Sequence, residues 1–138
     1  MNSHKPNIKL FLISFLLLIN PPAYPESTHQ NASHSKKIMI QEISFLLSEI
    51  KKTSCKLKRN GTLHTGPEAE KHIRRKYRYA RNKIKSAEHF IRYVASRSSW
   101  TGRPYTLICA NINTQETKHW LLSRLSAHRK QHTNKQLK

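Results

Sequence analysis

Apolar residues occur in separate clusters along the chain, and the spacing within each cluster predicts one secondary-structure element. In residues 36–52 they recur at intervals of three and four, as on one face of an amphipathic helix. A second helix is predicted after Thr65, because residues 65–68 fit a capping box with proline in the first turn. The two apolar faces comprise Met39, Ile40, Ile43, Leu46, Leu47 and Ile50 in the first helix, and Ala69, Ile73, Tyr77, Ala80 and Ile84 in the second.

Short β-strands are predicted around an Asn-Gly turn. Asn60-Gly61 supplies the two positive φ values of a type I′ turn, so residues 55–59 and 62–64 are expected to form a hairpin. Residues 105–109 are aromatic and β-branched enough to add a third strand.

Two further helices complete the predicted fold. Ser86 is placed to cap a third helix, whose buried side is Ala87, Phe90, Ile91, Val94 and Ala95, and Asn113 with Glu116 forms a capping pair before a fourth. The predicted class is therefore α+β, with three to four short helices packed on a small antiparallel sheet.

The first 23 residues have the organisation of a signal peptide. Lys5 and Lys9 lead into an apolar stretch at residues 10–19, which is too short to span a bilayer as a helix. An uncleaved anchor is the alternative. We expect residues 24–35 to be a flexible lead-in, residues 36–129 to form one small domain and residues 130–138 to be a basic tail. The predicted location is the periplasm or the exterior.

The two cysteines, Cys55 and Cys109, are predicted to form a disulfide, because an even count in a small exported domain is typical of one. Closing a loop of this length would stabilise the fold by about 4 kcal/mol. Two lone cysteines supply too few ligands for a metal, and none of the nine histidines lies in an H-x-x-H or H-E-x-x-H motif. We therefore predict no metal site and no cofactor.

Positive charge dominates the composition. The chain has 26 Lys and Arg, seven Glu and no Asp, for a net charge of +19. Such a charge attracts polyanions, and eight of the basic residues fall within residues 71–85. At helical spacing, six of these lie opposite the apolar face of the second helix. We call them the cationic ridge: Lys71, Arg74, Arg75, Arg78, Arg81 and Lys85. The alternative interpretation is a solvated face that only keeps the protein soluble.

A flank of the second helix carries candidate acid–base residues. Glu68 and His72 are four residues apart, so their contact would tune the imidazole, and Ser96, Ser98 or Ser99 would offer a hydroxyl. In the alternative, Glu68 caps the helix, His72 packs at the core edge and the serines satisfy loop backbone. The candidate catalytic residues are His72, Glu68, Ser98 and Ser99, and an enzyme stays an open alternative.

Trp100 is a further candidate binding residue. It lies in a predicted loop beside Arg97 and Arg103, where an exposed indole can stack on a sugar ring, a base or a peptide. In the alternative interpretation the indole folds back over the small core.

A series of short motifs follows a recognisable order through residues 43–129, most specifically in residues 87–105. The motifs are Cys55, Arg59-Asn60-Gly61, Glu68-Ala69, His72, Lys76-Tyr77, Ala87-Glu88, Phe90-Ile91, Ala95-Ser96, Ser98-Ser99, Thr101-Gly102, Pro104-Tyr105, Cys109 and Trp120-Leu121. This order resembles the YfeK-like family of small exported bacterial proteins, whose function is unknown. The resemblance implies a location in the bacterial envelope and gives no activity, catalytic residue or cofactor. The strongly basic second helix departs from the family.

These observations favour a non-catalytic binding or structural module of the envelope that contacts an anionic component. The expected partners are an anionic polymer, a lipid surface or an envelope protein. Export argues against nucleic acid, which becomes the first partner to consider if the leader is misidentified. The runner-up hypothesis is a small hydrolase that uses His72 with Glu68.

Overall fold

Four helices and four short strands follow one another in a computed structural model that describes residues 27–110 and 113–136. A 3-10 turn, Arg81–Lys83, follows the second helix, and one turn of π-helix, Ile91–Ala95, continues the third. The α+β class is confirmed. In chain order the elements are α1 (Ser27–Lys52), β1 (Lys56–Arg59), β2 (Thr62–His64), α2 (Gly66–Ala80), α3 (Ala87–Phe90), β3 (Thr106–Ile108), β4 (Gln115–Glu116) and α4 (Thr117–Gln136).

The strands form one antiparallel sheet in the order β2-β1-β3-β4. The predicted hairpin is confirmed, with Asn60 at φ 49° and Gly61 at φ 89° in its turn. Pairing of β1 with β3 places Lys56 opposite Ile108. The two cysteines lie just beyond this pair, with 4.5 Å between their Cα atoms, and form the predicted disulfide.

The fourth strand corrects the predicted start of the last helix. Gln115 and Glu116 pair with β3, and the backbone N–H of Thr117 donates to the carbonyl of Tyr105 at 2.9 Å. The sheet therefore has four strands rather than three, and α4 begins after the predicted capping pair. The reason is that Gln115 and Glu116 are extended and paired with β3, so the residues after Asn113 cannot form the first turn of a helix.

Both long helices extend beyond their predicted ends. α1 begins at Ser27, so the segment expected to be a flexible lead-in is helical from that residue, and α4 continues to Gln136 into the expected basic tail. Neither range contains Gly or Pro, so no residue breaks the helix. The predicted signal peptide lies outside the described residues. Within the described residues, no helix is long and apolar enough to cross a bilayer.

The core lies where α1, α2, α4 and the α3 region pack against the sheet. Phe90 is fully buried at its centre, and the ring of Tyr77 meets it edge-on at 5.4 Å between ring centroids. Ile40 is an exception to the predicted apolar faces, because it is 46% exposed and lines an open groove beside Arg81 and Lys85. The most buried large side chains are Ile43, Leu46, Leu47, Ile50, Leu57, Ile73, Ile91, Leu107, Leu121 and Leu125.

Ion pairs join the helices at the periphery of the core. The guanidinium of Arg129 on α4 binds Glu42 of α1 at 2.6 Å and also Glu88 of α3. These bonds raise the pKa of Arg129 and lower the pKa of Glu88. Arg124 pairs with Glu49 in the same way. Three of the glutamates thus serve the scaffold.

The start of α2 lies directly against the end of α1, at Gly66. A Cβ atom at this position would lie 2.6 Å from the carbonyl oxygen of Ile50 and 2.8 Å from that of Lys51. Real Cβ atoms do not approach a backbone oxygen so closely, so the contact requires glycine. The predicted Thr65 capping box is present and fixes the same turn.

We expect Gly66→Ala to destabilise the protein by about 2 kcal/mol or more, because backbone must move to relieve the clash. Helix propensity alone would make the alanine variant more stable by roughly 0.5–1 kcal/mol. A decrease in stability therefore shows that the steric clash outweighs helix propensity. Urea unfolding measures the change. Gly61→Ala is the comparison, since it meets no atom within 4 Å and tests only a positive φ. A Gly66→Ala variant as stable as the wild type would contradict the close packing of α1 and α2.

Candidate functional site

The cationic ridge is an exposed surface. All six of its residues are exposed, on α2 and on the segment that follows it. Arg74 pairs with Glu70 one turn earlier, and in the described residues this is the single ion pair that any ridge residue makes. Five of the six positive charges are therefore uncompensated within the described part of the chain.

The distribution of glutamates explains this imbalance. Glu42, Glu49 and Glu88 neutralise arginines of α4, and Glu68 is bound at the start of α2. Because the chain has no Asp and seven Glu, few acids remain for the ridge. The ridge charge has to be balanced by groups outside the fold.

A second basic feature, which we call the arginine–histidine cluster, consists of Arg59, His64, His72 and Arg75. Arg59 Nη1 lies 3.2 Å from Nε2 and 3.4 Å from Nδ1 of His72. Arg75 Nη2 approaches the same Nδ1 to 3.3 Å. Arg59 Nη2 lies 3.5 Å from Nε2 of His64. The packing of α2 beside the hairpin thus brings two guanidinium groups to one imidazole.

Burial and the surrounding cations keep His72 neutral. Desolvation, followed by the charges of Arg59, Lys76 and Arg75, lowers the pKa of His72 to about 4. Above that pH the imidazole carries no charge while its neighbours do.

Glu68 does not take the acid–base position proposed for it from sequence. Its carboxylate accepts from the backbone N–H of Thr65 at 2.7 Å and from the Thr65 hydroxyl at 2.8 Å. These bonds lower the pKa of Glu68. The i, i+4 spacing to His72 is real, but the capping interaction takes the carboxylate, and His72 contacts arginines instead.

Lys76 serves the fold from the same flank of α2. Its ammonium donates to the carbonyls of Val94 and Arg97, both at 2.7 Å, and lies 5.3 Å from the ring centre of Tyr105. Burial, then the charges of Arg59 and Arg97, lowers the pKa of Lys76 to about 8. Lys76 therefore satisfies the carbonyls left open where the π-turn ends.

The segment of residues 96–104 is a structured loop docked on the hairpin turn. The Asn60 amide donates to Ser98 Oγ at 3.3 Å, and the Thr101 hydroxyl donates to Asn60 Oδ1 at 2.9 Å. Ser98 Oγ also accepts from the backbone N–H of Thr101, and the buried Ser96 hydroxyl donates to the carbonyl of Ile91. Ser96 and Ser98 thus satisfy local groups, as the alternative interpretation expected.

Trp100 projects from this loop with its side chain 95% exposed, so the idea that its indole covers the core is wrong. The neighbouring Ser99 borders a groove of about 320 Å³ that reaches the end of α2. Tyr79 and Tyr93 line the groove and are exposed. Two exposed tyrosine rings therefore lie at the end of α2, and an exposed indole follows Ser99 in the adjoining loop.

Sequence analysis did not identify Arg59, His64 or Tyr105 as site residues. Arg59 and Tyr105 appeared only among the motifs of the family resemblance, and the structure shows that these motifs converge, since Arg59 lies against His72 and lines the same small cavity as Tyr105. Their place among these family motifs was the one signal that the sequence offered for Arg59 and Tyr105. Spacing along the chain does not reveal the convergence, because the contacts join β1, α2 and the residue before β3.

The histidine pair on α4 was also missed. His128 and His132 are one helical turn apart with 4.4 Å between ring centroids, and His128 stacks on Phe45. In the described ranges no three His, Cys, Asp or Glu side chains are grouped to hold a metal ion.

Comparison with known proteins places the chain in a family. Residues 37–129, about two thirds of the chain, match the model described as "Family of unknown function (DUF5329)". The chain belongs to this family. It is also 53% identical over 47 residues to a Salmonella typhimurium protein named "Uncharacterized protein YfeK". That stretch covers 34% of this chain and 39% of the relative's length. No solved structure matches. The predicted resemblance is confirmed, and neither name states an activity.

We expect His72 to make stability depend on pH between 6.5 and 4. A folded-state pKa of about 4 against 6.5 unfolded means that the unfolded chain binds a proton first. Stability is therefore full above pH 6.5 and falls as the pH drops toward 4. Urea unfolding across this range should show a shallower decline for His72→Gln. His119→Gln, at an exposed position, should decline like the wild type. Parallel curves for wild type and His72→Gln would contradict the assignment.

Proposed function

We propose that this protein is a non-catalytic, exported envelope protein that binds an anionic membrane surface through the cationic ridge. The observation that carries the proposal is that six basic residues share one exposed face. Within the described residues, five of the six have no carboxylate partner, and Arg74 pairs with Glu70. A basic residue near an anionic lipid surface contributes about 1 kcal/mol, so several acting together give useful affinity.

The aromatic residues support a membrane surface over a soluble polymer. Tyr79 and Tyr93 are exposed on the groove at the end of α2, and Trp100 is exposed in the loop whose Ser99 borders that groove. Tyr and Trp favour the headgroup region of a bilayer, because their rings have an apolar body and a polar group. Basic residues and aromatic rings on neighbouring surfaces are therefore suited to the headgroup region of an anionic membrane.

Export is supported by two features of the chain. The apolar stretch at residues 10–19 behind Lys5 and Lys9 has the form of a signal peptide. The Cys55–Cys109 disulfide suits an oxidising compartment such as the periplasm.

The hydrolase hypothesis has weaker support. The carboxylate of Glu68 is held by Thr65, and the hydrogen-bond partners of His72 are Arg59 and Arg75. An acid–base pair needs its base within reach of both an orienting group and a reacting hydroxyl. The contacts of His72 favour anion binding instead.

Cell fractionation with intact mass tests the export step. We expect a chain beginning near Tyr24 in the exported fraction, with a mass about 2 Da lower before reduction than after it because of the disulfide. A full-length, reduced chain in the cytoplasm would contradict export and make nucleic acid the first partner to test.

Binding to vesicles tests the ridge. We expect the mature protein to bind anionic phosphatidylglycerol vesicles and not to bind zwitterionic phosphatidylcholine vesicles. Added salt should release it from the phosphatidylglycerol vesicles. The ridge variant Arg78→Gln/Arg81→Gln/Lys85→Gln should lose about 3 kcal/mol, or roughly two orders of magnitude in affinity.

A matched control removes the same charge elsewhere. Lys52→Gln/Lys130→Gln/Lys135→Gln changes three exposed residues of α1 and α4. We expect it to weaken binding by less than tenfold. Equal losses in the two triple variants, or binding that ignores salt, would overturn the assignment to the ridge.

A further inference from the structure

The arginine–histidine cluster contains more hydrogen-bond donors than acceptors. A neutral imidazole has one accepting and one donating nitrogen. Arg59 Nη1 lies within 3.4 Å of both nitrogens of His72, and Arg75 Nη2 lies 3.3 Å from Nδ1. Because Arg59 Nη1 is nearly equidistant from the two nitrogens, it lies over the face of the ring rather than along either N–H direction. Two guanidinium groups therefore share one imidazole that has a single in-plane lone pair.

The same cluster has more positive than negative charge. Arg59 and Arg75 form none of the ion pairs found in the described part of the chain, and the ammonium of Lys76 acts on the same imidazole. Glu68, on the same helix, is already bound by Thr65. The other neighbours of Arg59 are His64 and Tyr105, neither of which supplies a carboxylate. The cluster therefore lacks a negative charge, and its guanidinium groups have more N–H donors than the neighbouring imidazoles can accept.

We infer that the arginine–histidine cluster binds a phosphate group, held between the guanidinium groups of Arg59 and Arg75 with His72 beside them. A phosphate supplies several acceptor oxygens and the missing negative charge together. The planar fork of an arginine matches two of those oxygens at once.

The phosphate binds on the solvent side of the cluster. Behind Arg59 the cavity lined by Leu57, Ala69 and Ile73 has a volume of about 10 Å³, which holds no more than one water molecule. Arg75 is exposed, and Arg59 and His72 are partly exposed, so all three are open to a ligand from outside. The site thus suits either a free phosphate ion or the terminal phosphate group of a larger molecule.

This inference goes beyond membrane binding by the ridge, because the two surfaces share one residue, Arg75. A bound dianion beside His72 favours the imidazolium form, so binding and protonation of His72 support each other. The groups facing His72 are Arg59 from β1, His64 from β2, and Arg75 and Lys76 from α2. Because the cluster contains two histidines, His64 and His72, a probe resolved by residue is required.

The test is NMR titration of the oxidised mature protein with inorganic phosphate, at ionic strength held constant with NaCl. We expect saturable shifts of the His72 ring protons and a His72 pKa higher by at least about half a unit when phosphate is bound. Sodium sulfate in a parallel titration supplies a dianion whose own charge is fixed over this pH range. It should bind more tightly at pH 5 than at pH 7.

Three variants decide the assignment. Arg59→Gln and Arg75→Gln should each weaken phosphate binding at least tenfold, since each removes charged hydrogen bonds. Arg59→Lys keeps the charge without the fork and should also weaken it, which provides a second test if Arg59→Gln does not fold. The ridge variant Arg78→Gln/Arg81→Gln/Lys85→Gln should bind phosphate within threefold of the wild type. Equal weakening in all variants, or no saturation, would overturn the inference.

Vesicles separate the two sources of a phosphate group. If a lipid supplies it, Arg59→Gln should reduce binding to phosphatidic acid vesicles, with their terminal phosphate, more than to phosphatidylglycerol vesicles of equal charge. If a soluble molecule supplies it, Arg59→Gln should lower only the affinity for free phosphate. A ridge variant that releases vesicles and still binds phosphate would keep this inference. The opposite pattern would keep membrane binding and remove the phosphate site.

Discussion

The antiparallel pairing of β1 with β3, closed by the Cys55–Cys109 disulfide, joins two parts of the chain that are 54 residues apart. Bringing such distant segments together has a large entropic cost, which the disulfide offsets by about 4 kcal/mol. The contacts of the arginine–histidine cluster and of the Trp100 loop depend on this junction. It places Asn60 against the Trp100 loop and Arg59 beside Tyr105, and α2 then packs over the junction to add His72.

The protein has a high positive charge and a small core, and it keeps its ion-paired helix junctions apart from its exposed basic surface. Its glutamates are placed mainly where α4 meets α1 and α3, through Arg124 and Arg129. The ridge residues of α2, by contrast, are exposed to solvent. Self-repulsion is thus greatest on a solvated surface, where water and salt screen it, and least within the packed region.

Local signals predicted what is decided locally. The Asn60-Gly61 turn, the Thr65 and Ser86 caps and the apolar faces of the helices required only neighbouring residues, and they occur in the structure with Ile40 as the exception. The strand at Gln115 was missed because pairing with β3 overrides the local capping signal. The approach of Arg59 to His72 was missed because it depends on how α2 packs on the hairpin. The predicted Glu68–His72 contact does not form, because the carboxylate of Glu68 caps the start of α2 instead.

The separation between scaffold and ridge has a consequence for how this protein varies between species. A substitution at Glu42 or Arg129 disturbs the joint between three helices, so selection for folding constrains such positions. Lys71, Arg78 and Lys85 take part in no ion pair of the described structure and are exposed. They are free to change by mutation at little cost in folding. Relatives with the same disulfide-closed fold can therefore differ widely in surface charge without a change in their core.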